Sequence, residues 1–177
     1  MSLPKTIDRL SLLLCKSVKH VLESSTKKTI QYSTTIQQIP KVAMKPEVGC
    51  FVQFSGDYGG LVVLNLSAEA AVDIYRTYML TMGMPEEELA KDFTSNDVAD
   101  TIGEITNQIM GLFMRTVEDK YGLSSFCGQP KSLAINSAIT LTIDADYIDN
   151  RRVVFKLDNK KFHMELAMEQ TEFIPTK

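Results

Sequence analysis

The stretch Ser95–Lys120 reads SNDVADTIGEITNQIMGLFMRTVEDK, and two stripes of opposite character run along it. The polar stripe consists of Asp100, Glu104, Asn107 and Gly111. The apolar stripe consists of Val98, Ile102, Ile105, Ile109, Leu112 and Phe113. At roughly 100° per residue, the polar stripe falls within an arc of about 60° on an α-helix, and the apolar stripe lies nearly opposite. This stretch therefore predicts a helix that packs by one face and presents a carboxylate, a carboxamide and a bare glycine on the other.

Hydrophobic periodicity predicts the other helices and strands on either side of this helix in the sequence. The central helix begins at the Thr94-Ser95 cap and runs to about Tyr121, where Gly122 ends it. Two more helices are predicted, over about Ile7–Ser25 and, behind the N-cap Ser67, over Ala68–Thr81. Runs rich in β-branched and aromatic residues predict six strands, over Thr29–Ile39, Val48–Ser55, Gly60–Leu66, Ser132–Ile143, Arg152–Leu157 and Lys161–Met168.

Two short segments between these elements need an interpretation. The glycine-rich stretch 56–60 predicts a hairpin turn and not a phosphate-binding loop, because it has neither a P-loop lysine nor a following strand–helix context. The three glutamates Glu86, Glu87 and Glu88 indicate either a solvated connector or the acidic first turn of a short helix.

The order of elements predicts the fold class. Each half of the chain reads as a long helix followed by three strands, over about residues 5–82 and 93–170. Strands that follow one another without intervening helices favour antiparallel pairing. We therefore expect one α+β domain over residues 1–177, with duplicated helix–three-strand units, an antiparallel sheet of about six strands and two long helices packed on one face.

Composition limits the function classes. The 177 residues carry a net charge of −3, which argues against a nucleic-acid partner because phosphate binding needs a basic face. Cys15, Cys50 and Cys127 are expected to be reduced thiols, and His20 and His163 lack neighbours at metal-ligand spacing. No segment is long and apolar enough to predict a membrane span, so a cytoplasmic protein is expected by elimination.

The spacing in the central helix continues into a distant proline. Asp100 is followed after three residues by Glu104, after two more by Asn107, and after twenty-two more by Pro130. This pattern resembles the signature of the CheC–CheX–FliY family of chemotaxis phosphatases, in which an acidic or serine residue, Glu, Asn and a distant Pro recur at these intervals. The resemblance spans most of the chain, although only this motif is specific.

The resemblance implies a fold and an activity. Members of that family remove the phosphoryl group from the aspartate of a response-regulator receiver such as CheY, and the receiver itself holds the Mg²⁺. On this hypothesis the protein needs no cofactor of its own. Asn107 would orient the attacking water, since a neutral carboxamide can bind water without adding negative charge near an anion. Glu104 would dock by pairing with a lysine of the receiver.

Roles for the other motif residues follow from the same resemblance. Gly111 would let the partner approach closely, and Pro130 would shape the start of the first strand after the helix without touching the chemistry. Three roles stay open for Asp100: capping, local pairing or steering the partner. The first helix reads Leu14-Cys15-Lys16-Ser17-Val18-Lys19-His20-Val21 and has no second Glu-x-x-Asn. One site per chain resembles CheX, whose members form homodimers.

Other functions remain compatible with the sequence. The same helix face could bind a receiver or a flagellar switch component without catalysis. A small-ligand-binding α+β domain is a third possibility, and it would require an apolar pocket with convergent polar groups. Polar residues opposite an apolar stripe are also what any half-exposed helix shows.

Overall fold

The computed structural model describes residues 5–45, 47–135, 141–142 and 147–170. Within them the chain forms three α-helices, α1 (Thr6–Thr26), α2 (Ala68–Thr81) and α3 (Asn96–Tyr121). A single 3₁₀ turn, Glu86–Glu88, lies between α2 and α3. The predicted helices are confirmed, and so is the cap Ser67, whose hydroxyl accepts a hydrogen bond from the Ala70 amide.

The described strands are short at the sheet edges and long at its centre. In chain order they are β1 (Ile30–Tyr32), β2 (Gln37–Gln38), β3 (Ala43–Met44), β4 (Val48–Gly56), β5 (Gly60–Leu66), β6 (Ser125–Cys127), β7 (Lys131–Ala134), β8 (Leu141–Thr142), β9 (Asp149–Leu157) and β10 (Lys160–Met168). The turn between β4 and β5 is the predicted glycine-rich hairpin.

The main sheet is antiparallel throughout the described residues, in the order β1-β9-β10-β5-β4-β6, with β2 also pairing with β9 and β7 with β4. The two central strands, β5 and β10, come from different halves of the chain. Each half also gives its first strand to the other half, since β1 joins β9 while β6 and β7 join β4. The predicted α+β class is confirmed, whereas the single domain and its pseudo-repeats stay predictions.

All three helices pack on one face of this sheet. Their apolar stripes meet the alternate residues of β4, β5, β9 and β10 in one hydrophobic cluster. Phe113 of α3 makes edge-to-face contacts with Phe54 and Tyr58 there. Met110 is fully buried and Met114 packs against the cluster. Burial of these side chains fixes the orientation of α3 and leaves its other face outward.

The opposite face of the sheet is partly covered by the segment 39–45 and carries a polar cluster that the sequence did not predict. Glu165 is fully buried, and its carboxylate accepts hydrogen bonds from the Ala43 amide and the Arg152 guanidinium. Burial raises the pKa of Glu165 and lowers the pKa of the neighbouring His163 to about 4. Asn65 contacts the His163 ring at 3.1 Å, so this histidine has a partner.

Three strand predictions need correction. The run Thr29–Ile39 forms two short strands, β1 and β2, which both pair with β9 at the sheet edge. The strand β6 was missed, since three residues are too few to show a periodicity. Within the predicted strand Ser132–Ile143, pairing with β4 ends at Ala134 and the pair Leu141–Thr142 joins β3 instead. The remainder of that run, 136–140 and 143, lies outside the described residues.

Candidate functional site

The helix α3 is fixed at both ends and along one side. The Ser95 hydroxyl accepts a hydrogen bond from the Asp97 amide at 3.2 Å, which confirms it as the N-cap. Gly122 ends the helix with φ of 69°, and its amide donates to the Glu118 carbonyl at 2.8 Å. Between these ends the 26 residues form a rod about 39 Å long. Val98, Ile102, Ile105, Ile109 and Phe113 are all buried.

The outward face of this rod presents the predicted motif. Asp100, Glu104 and Asn107 are all exposed. Residues three and four positions apart on a helix are neighbours, with Cβ atoms about 5–6 Å apart, so the acid and the amide stand side by side. The Asn107 carboxamide makes no hydrogen bond within the part of the chain that the structure describes. It is therefore free to bind water or a partner.

A groove of about 260 Å³ opens along one side of the motif. We call it the motif groove. Its helix side consists of Ala99, Asp100, Gly103, Glu104 and Asn107, and its opposite wall of Gln129, Pro130 and Ser132. The lining is mostly polar in its residue types, as suits a water or a polar partner group better than an apolar ligand.

The wall of the motif groove explains the distant proline of the signature. Pro130 lies directly before β7 in the connection from β6, and this connection passes close to α3. Gly103 allows the approach, because a Cβ there would lie 3.3 Å from the Ser132 hydroxyl oxygen. The sequence prediction placed Pro130 before the first strand after the helix, but it precedes the second, and it lines the groove. Gly103, Gln129 and Ser132 were not predicted.

The Glu104 carboxylate is held by a neighbour on the same helix. The Gln108 side-chain amide donates a hydrogen bond to Glu104 Oε1 at 3.1 Å, one turn further along α3. The same nitrogen lies 3.5 Å from the Tyr78 hydroxyl of α2. Gln108 is four residues after Glu104, a spacing that sequence inspection could have found.

The structure also narrows the roles of Asp100 and Gly111. Asp100 is not the cap, because Ser95 fills that position, and no described residue pairs with its carboxylate. Steering of a partner stays a prediction for Asp100. At Gly111, an added Cβ would meet no described atom beyond its own helix backbone within 4 Å. Packing within the described chain therefore does not require a glycine there.

A second groove, of about 510 Å³, lies on the other side of the motif, between the end of α2 and the start of α3. We call it the methionine groove. Met79, Met82 and Met84 line it, together with Tyr78. Asp100 and Glu104 line both grooves and form the crest between them. No role for these methionines is predicted from the sequence.

Other candidate chemistry is limited in the described residues. No group of three or more His, Cys, Asp or Glu side chains there could hold a metal ion. Cys15, Cys50 and Cys127 are free thiols, as predicted, and burial raises the pKa of Cys15 to about 12. No helix in the searched part of the chain has the length and apolar character needed to cross a membrane.

Solved structures with the same fold are chemotaxis proteins. CheX of Desulfovibrio desulfuricans matches with a TM-score of 0.77 at 16% identity, over 91% of this chain and 99% of its own. The CheX–CheY–BeF₃–Mg²⁺ complex of Borrelia burgdorferi matches with a TM-score of 0.68 at 20% identity, over 90% and 97% of the chains. Thermotoga maritima FliY matches with a TM-score of 0.62 at 16% identity, over 91% and 87%.

These similarities establish that the chain has the CheC–CheX–FliY fold that the motif predicted. At identities of 16–20% they establish the fold alone. No curated protein sequence matches the chain. One family model, described as "Protein of unknown function (DUF3334)", matches residues 3–177. The chain belongs to the DUF3334 family and has the fold of the CheX-like chemotaxis proteins.

Proposed function

We propose that this protein is a phosphatase that accelerates loss of the phosphoryl group from the phosphoaspartate of a CheY-like receiver domain. One observation carries the proposal: Glu104 and Asn107 stand exposed and adjacent on a fixed helix, beside a polar groove walled by Pro130. All four members of the signature thus line one groove. The fold shared with CheX and FliY adds support, as does the complex of a CheX with CheY, BeF₃ and Mg²⁺.

Asn107 supplies the chemistry on this proposal. In hydrolysis of a phosphoaspartate, a water oxygen bonds to phosphorus, the bond from phosphorus to the aspartyl oxygen breaks, and aspartate and inorganic phosphate are released. Such a transfer depends mainly on positioning and on electrostatic stabilisation. The oxygen of the Asn107 carboxamide can accept a hydrogen bond from the water. This contact leaves a lone pair of the water oxygen directed at phosphorus. Because it has no partner among the described residues, no internal bond must break first.

Glu104 acts in docking. The hydrogen bond from Gln108 orients it along the crest of α3. A lysine beside the receiver's phosphoaspartate is the complementary charge, and pairing with it would align Asn107 with the phosphoryl group. Asp100, one turn earlier on the same crest, adds a second negative charge that attracts such a basic partner.

The partner completes the site. Mg²⁺ is contributed by the receiver, where it neutralises the phosphoryl oxygens, and this protein contributes an amide and a carboxylate from one rigid element. Gly111 leaves space for the partner on the same face of α3. A homodimer of the CheX type remains a prediction, because residues of one chain alone form the groove described here.

The test measures the lifetime of a phosphorylated receiver. CheY-like receivers from the same genome are phosphorylated with acetyl phosphate in Mg²⁺, the donor is removed, and dephosphorylation is followed with and without this protein. The chain contains no tryptophan, so the intrinsic tryptophan fluorescence of a receiver can be recorded without background. We expect Asn107→Ala to lose at least about a hundredfold in acceleration, equivalent to about 2.7 kcal/mol.

The matched control is Asp119→Ala, an exposed substitution further along α3 that should leave the rate unchanged. If the wild-type protein binds a receiver but Asn107→Ala alters neither affinity nor phosphate lifetime, the protein is a non-catalytic binding module of the same fold. If no receiver is dephosphorylated faster, the phosphatase proposal is wrong.

A further inference from the structure

The methionine groove exposes two large apolar residues to solvent. The side chains of Met82 and Met84 are 67% and 41% exposed, and both lie in the segment that follows α2. Half-buried Tyr78 and Met79 form the α2 side of the groove. Large apolar residues that are exposed together mark an interaction surface more often than single exposed apolar residues do.

Methionine suits a surface that must accept another protein. Its unbranched side chain and polarisable sulfur adapt to irregular partners, and methionine is enriched at the cores of protein interfaces. Thr101, on the α3 side of the same groove, is 3% exposed, and its hydroxyl has no hydrogen-bond partner among the described residues. The groove therefore combines adaptable apolar walls with one unsatisfied polar group.

The rim of the groove is acidic. Asp97, Asp100 and Glu104 line its α3 side, and none of these carboxylates forms an ion pair with a described residue. Glu87 and Glu88, shortly after Met84 in the chain, add further negative charge, whereas Glu86 pairs with Arg76 at 3.3 Å. Charge complementarity therefore selects an occupant that presents an apolar group next to basic side chains.

Position connects this groove to the proposed catalytic site. Asp100 and Glu104 line both grooves, so the two grooves are separated only by the crest of α3. A folded domain whose phosphoaspartate sits over Asn107 is wide enough to reach across that crest. The part of its surface that crosses the crest faces Met82 and Met84.

We propose that the methionine groove is the docking site for the receiver surface that adjoins the phosphoaspartate, and that it binds an apolar side chain flanked by basic residues. This inference rests on the proposed phosphatase function. The motif groove performs the chemistry, and the methionine groove supplies affinity and selects the receiver.

This division of labour predicts a specific kinetic signature. Contacts in the methionine groove are made equally in the ground state and the transition state, so their loss raises KM and leaves kcat nearly unchanged. We expect the double substitution Met82→Ser and Met84→Ser to raise KM about tenfold while kcat changes less than about twofold. Asn107→Ala should instead lower kcat and leave KM nearly unchanged, because the amide acts in the transition state.

The experiment uses the full chain and a phosphorylated CheY-like receiver in Mg²⁺, with initial rates measured over a range of receiver concentrations. Leu12→Ser is the matched control. Leu12 is 42% exposed, nearly the same fraction as Met84, but it lies on α1 and not in the methionine groove. Its KM should equal that of the wild type. Thermal unfolding followed by circular dichroism checks that all variants fold, and sedimentation reports their oligomeric state.

The outcomes separate the two proposals. If the wild-type protein accelerates dephosphorylation and Asn107→Ala does not, but the double methionine variant keeps its KM, the docking inference alone is overturned. The same holds if that variant changes only the sedimentation of the free protein, since the groove then binds a second copy of the chain. If the wild-type protein acts on no receiver, the phosphatase proposal fails and the docking inference fails with it.

Discussion

The two long helices α1 and α3 have similar lengths and pack on the same face of the sheet, yet their polar side chains make different contacts. On α1 several of these side chains bind other parts of the protein. Asp8 accepts a hydrogen bond from Arg151 of β9 at 2.7 Å, and Glu23 accepts one from the Ile30 amide of β1 at 3.0 Å. Lys19 donates to the Ile30 carbonyl at 2.8 Å.

On α3 the corresponding face is left open. Asp100 and Asn107 make no hydrogen bond or ion pair with any residue that the structure describes, and Glu104 is bound only by Gln108 of the same helix. The contrast indicates that α1 uses its polar face to attach β1 and β9, whereas Asp100, Glu104 and Asn107 of α3 attach no described strand. The polar residues of an amphipathic helix thus acquire different roles according to what the fold places beside them.

The largest expected effect comes from the charge of residue 107. Asn107→Asp keeps the size of the side chain but adds a negative charge opposite the phosphoryl oxygens, which opposes both water positioning and anion binding. We expect about a hundredfold lower acceleration of receiver dephosphorylation, or about 2.7 kcal/mol. Lys16→Ala, at an exposed position of α1, should leave the rate unchanged. Equal losses in both variants would contradict the distinction between the helices.

The next effect is on stability and belongs to α1. The Arg151 side chain is only 6% exposed, so Asp8→Ala leaves a nearly buried guanidinium nitrogen without its acceptor. We expect the free energy of unfolding to fall by about 1–3 kcal/mol, measured by urea denaturation. Asp100→Ala removes an unpaired exposed carboxylate from α3 and should change it by less than about 0.5 kcal/mol. A larger loss in Asp100→Ala would show that the crest of α3 has a structural role.

A matched pair of charge reversals sharpens the comparison. Glu104→Lys places a positive charge against the basic partner and should weaken receiver binding at least about tenfold, or 1.4 kcal/mol, without loss of stability. Binding to a beryllofluoride-loaded receiver can be measured by calorimetry. Glu23→Lys should leave binding intact and lower stability by about 1 kcal/mol, because the Ile30 amide loses its acceptor.

The stabilising role of Glu23 also depends on pH. The hydrogen bond from the Ile30 amide lowers the pKa of Glu23 below its ordinary value of 4.5. A carboxylate with a lowered pKa stabilises the folded state at pH values above its unfolded pKa, and this stabilisation is lost as the pH falls below that value. The difference in stability between wild type and Glu23→Lys should therefore shrink in acid. A constant difference down to low pH would assign the effect to another cause.

The smallest expected effect is at Gly111. Alanine has the higher helix propensity, and an added Cβ meets no described atom outside the helix backbone within 4 Å, so Gly111→Ala should raise the free energy of unfolding by up to about 1 kcal/mol. If the partner approaches closely there, the same variant should lose activity severalfold. Gain of stability with unchanged activity would remove Gly111 from the docking face.

Much of the site was accessible from local sequence patterns. The spacing of Val98, Ile102 and Ile105 predicted the buried stripe of α3, and Ser95 and Gly122 predicted its ends. The exposure of Glu104 and Asn107 followed from the same periodicity, since residues opposite a buried stripe face outward.

The other features of the site and of the sheet depend on contacts between distant parts of the chain and could not be predicted from local patterns. The wall around Pro130 and Ser132 meets α3 through a connection between two short strands, and the strand β6 has no periodicity that would reveal it. The methionines at the end of α2 are unremarkable in sequence, because no local pattern shows which element they will face. The buried Glu165 was missed for the same reason, since its partners Ala43 and Arg152 come from other strands.

By itself, the sequence determined the helices, the antiparallel α+β class and which side of α3 faces outward, because periodicity and capping act over a few residues along one element. Only the tertiary structure decided that the first strand of each half pairs with a strand of the other half. It also decided that the β6–β7 connection and α2 form a groove on either side of the motif. Finally, it decided that polar residues of α1 contact neighbouring strands while the motif residues of α3 face outward. These features depend on packing between residues far apart in the chain, which local propensities do not encode.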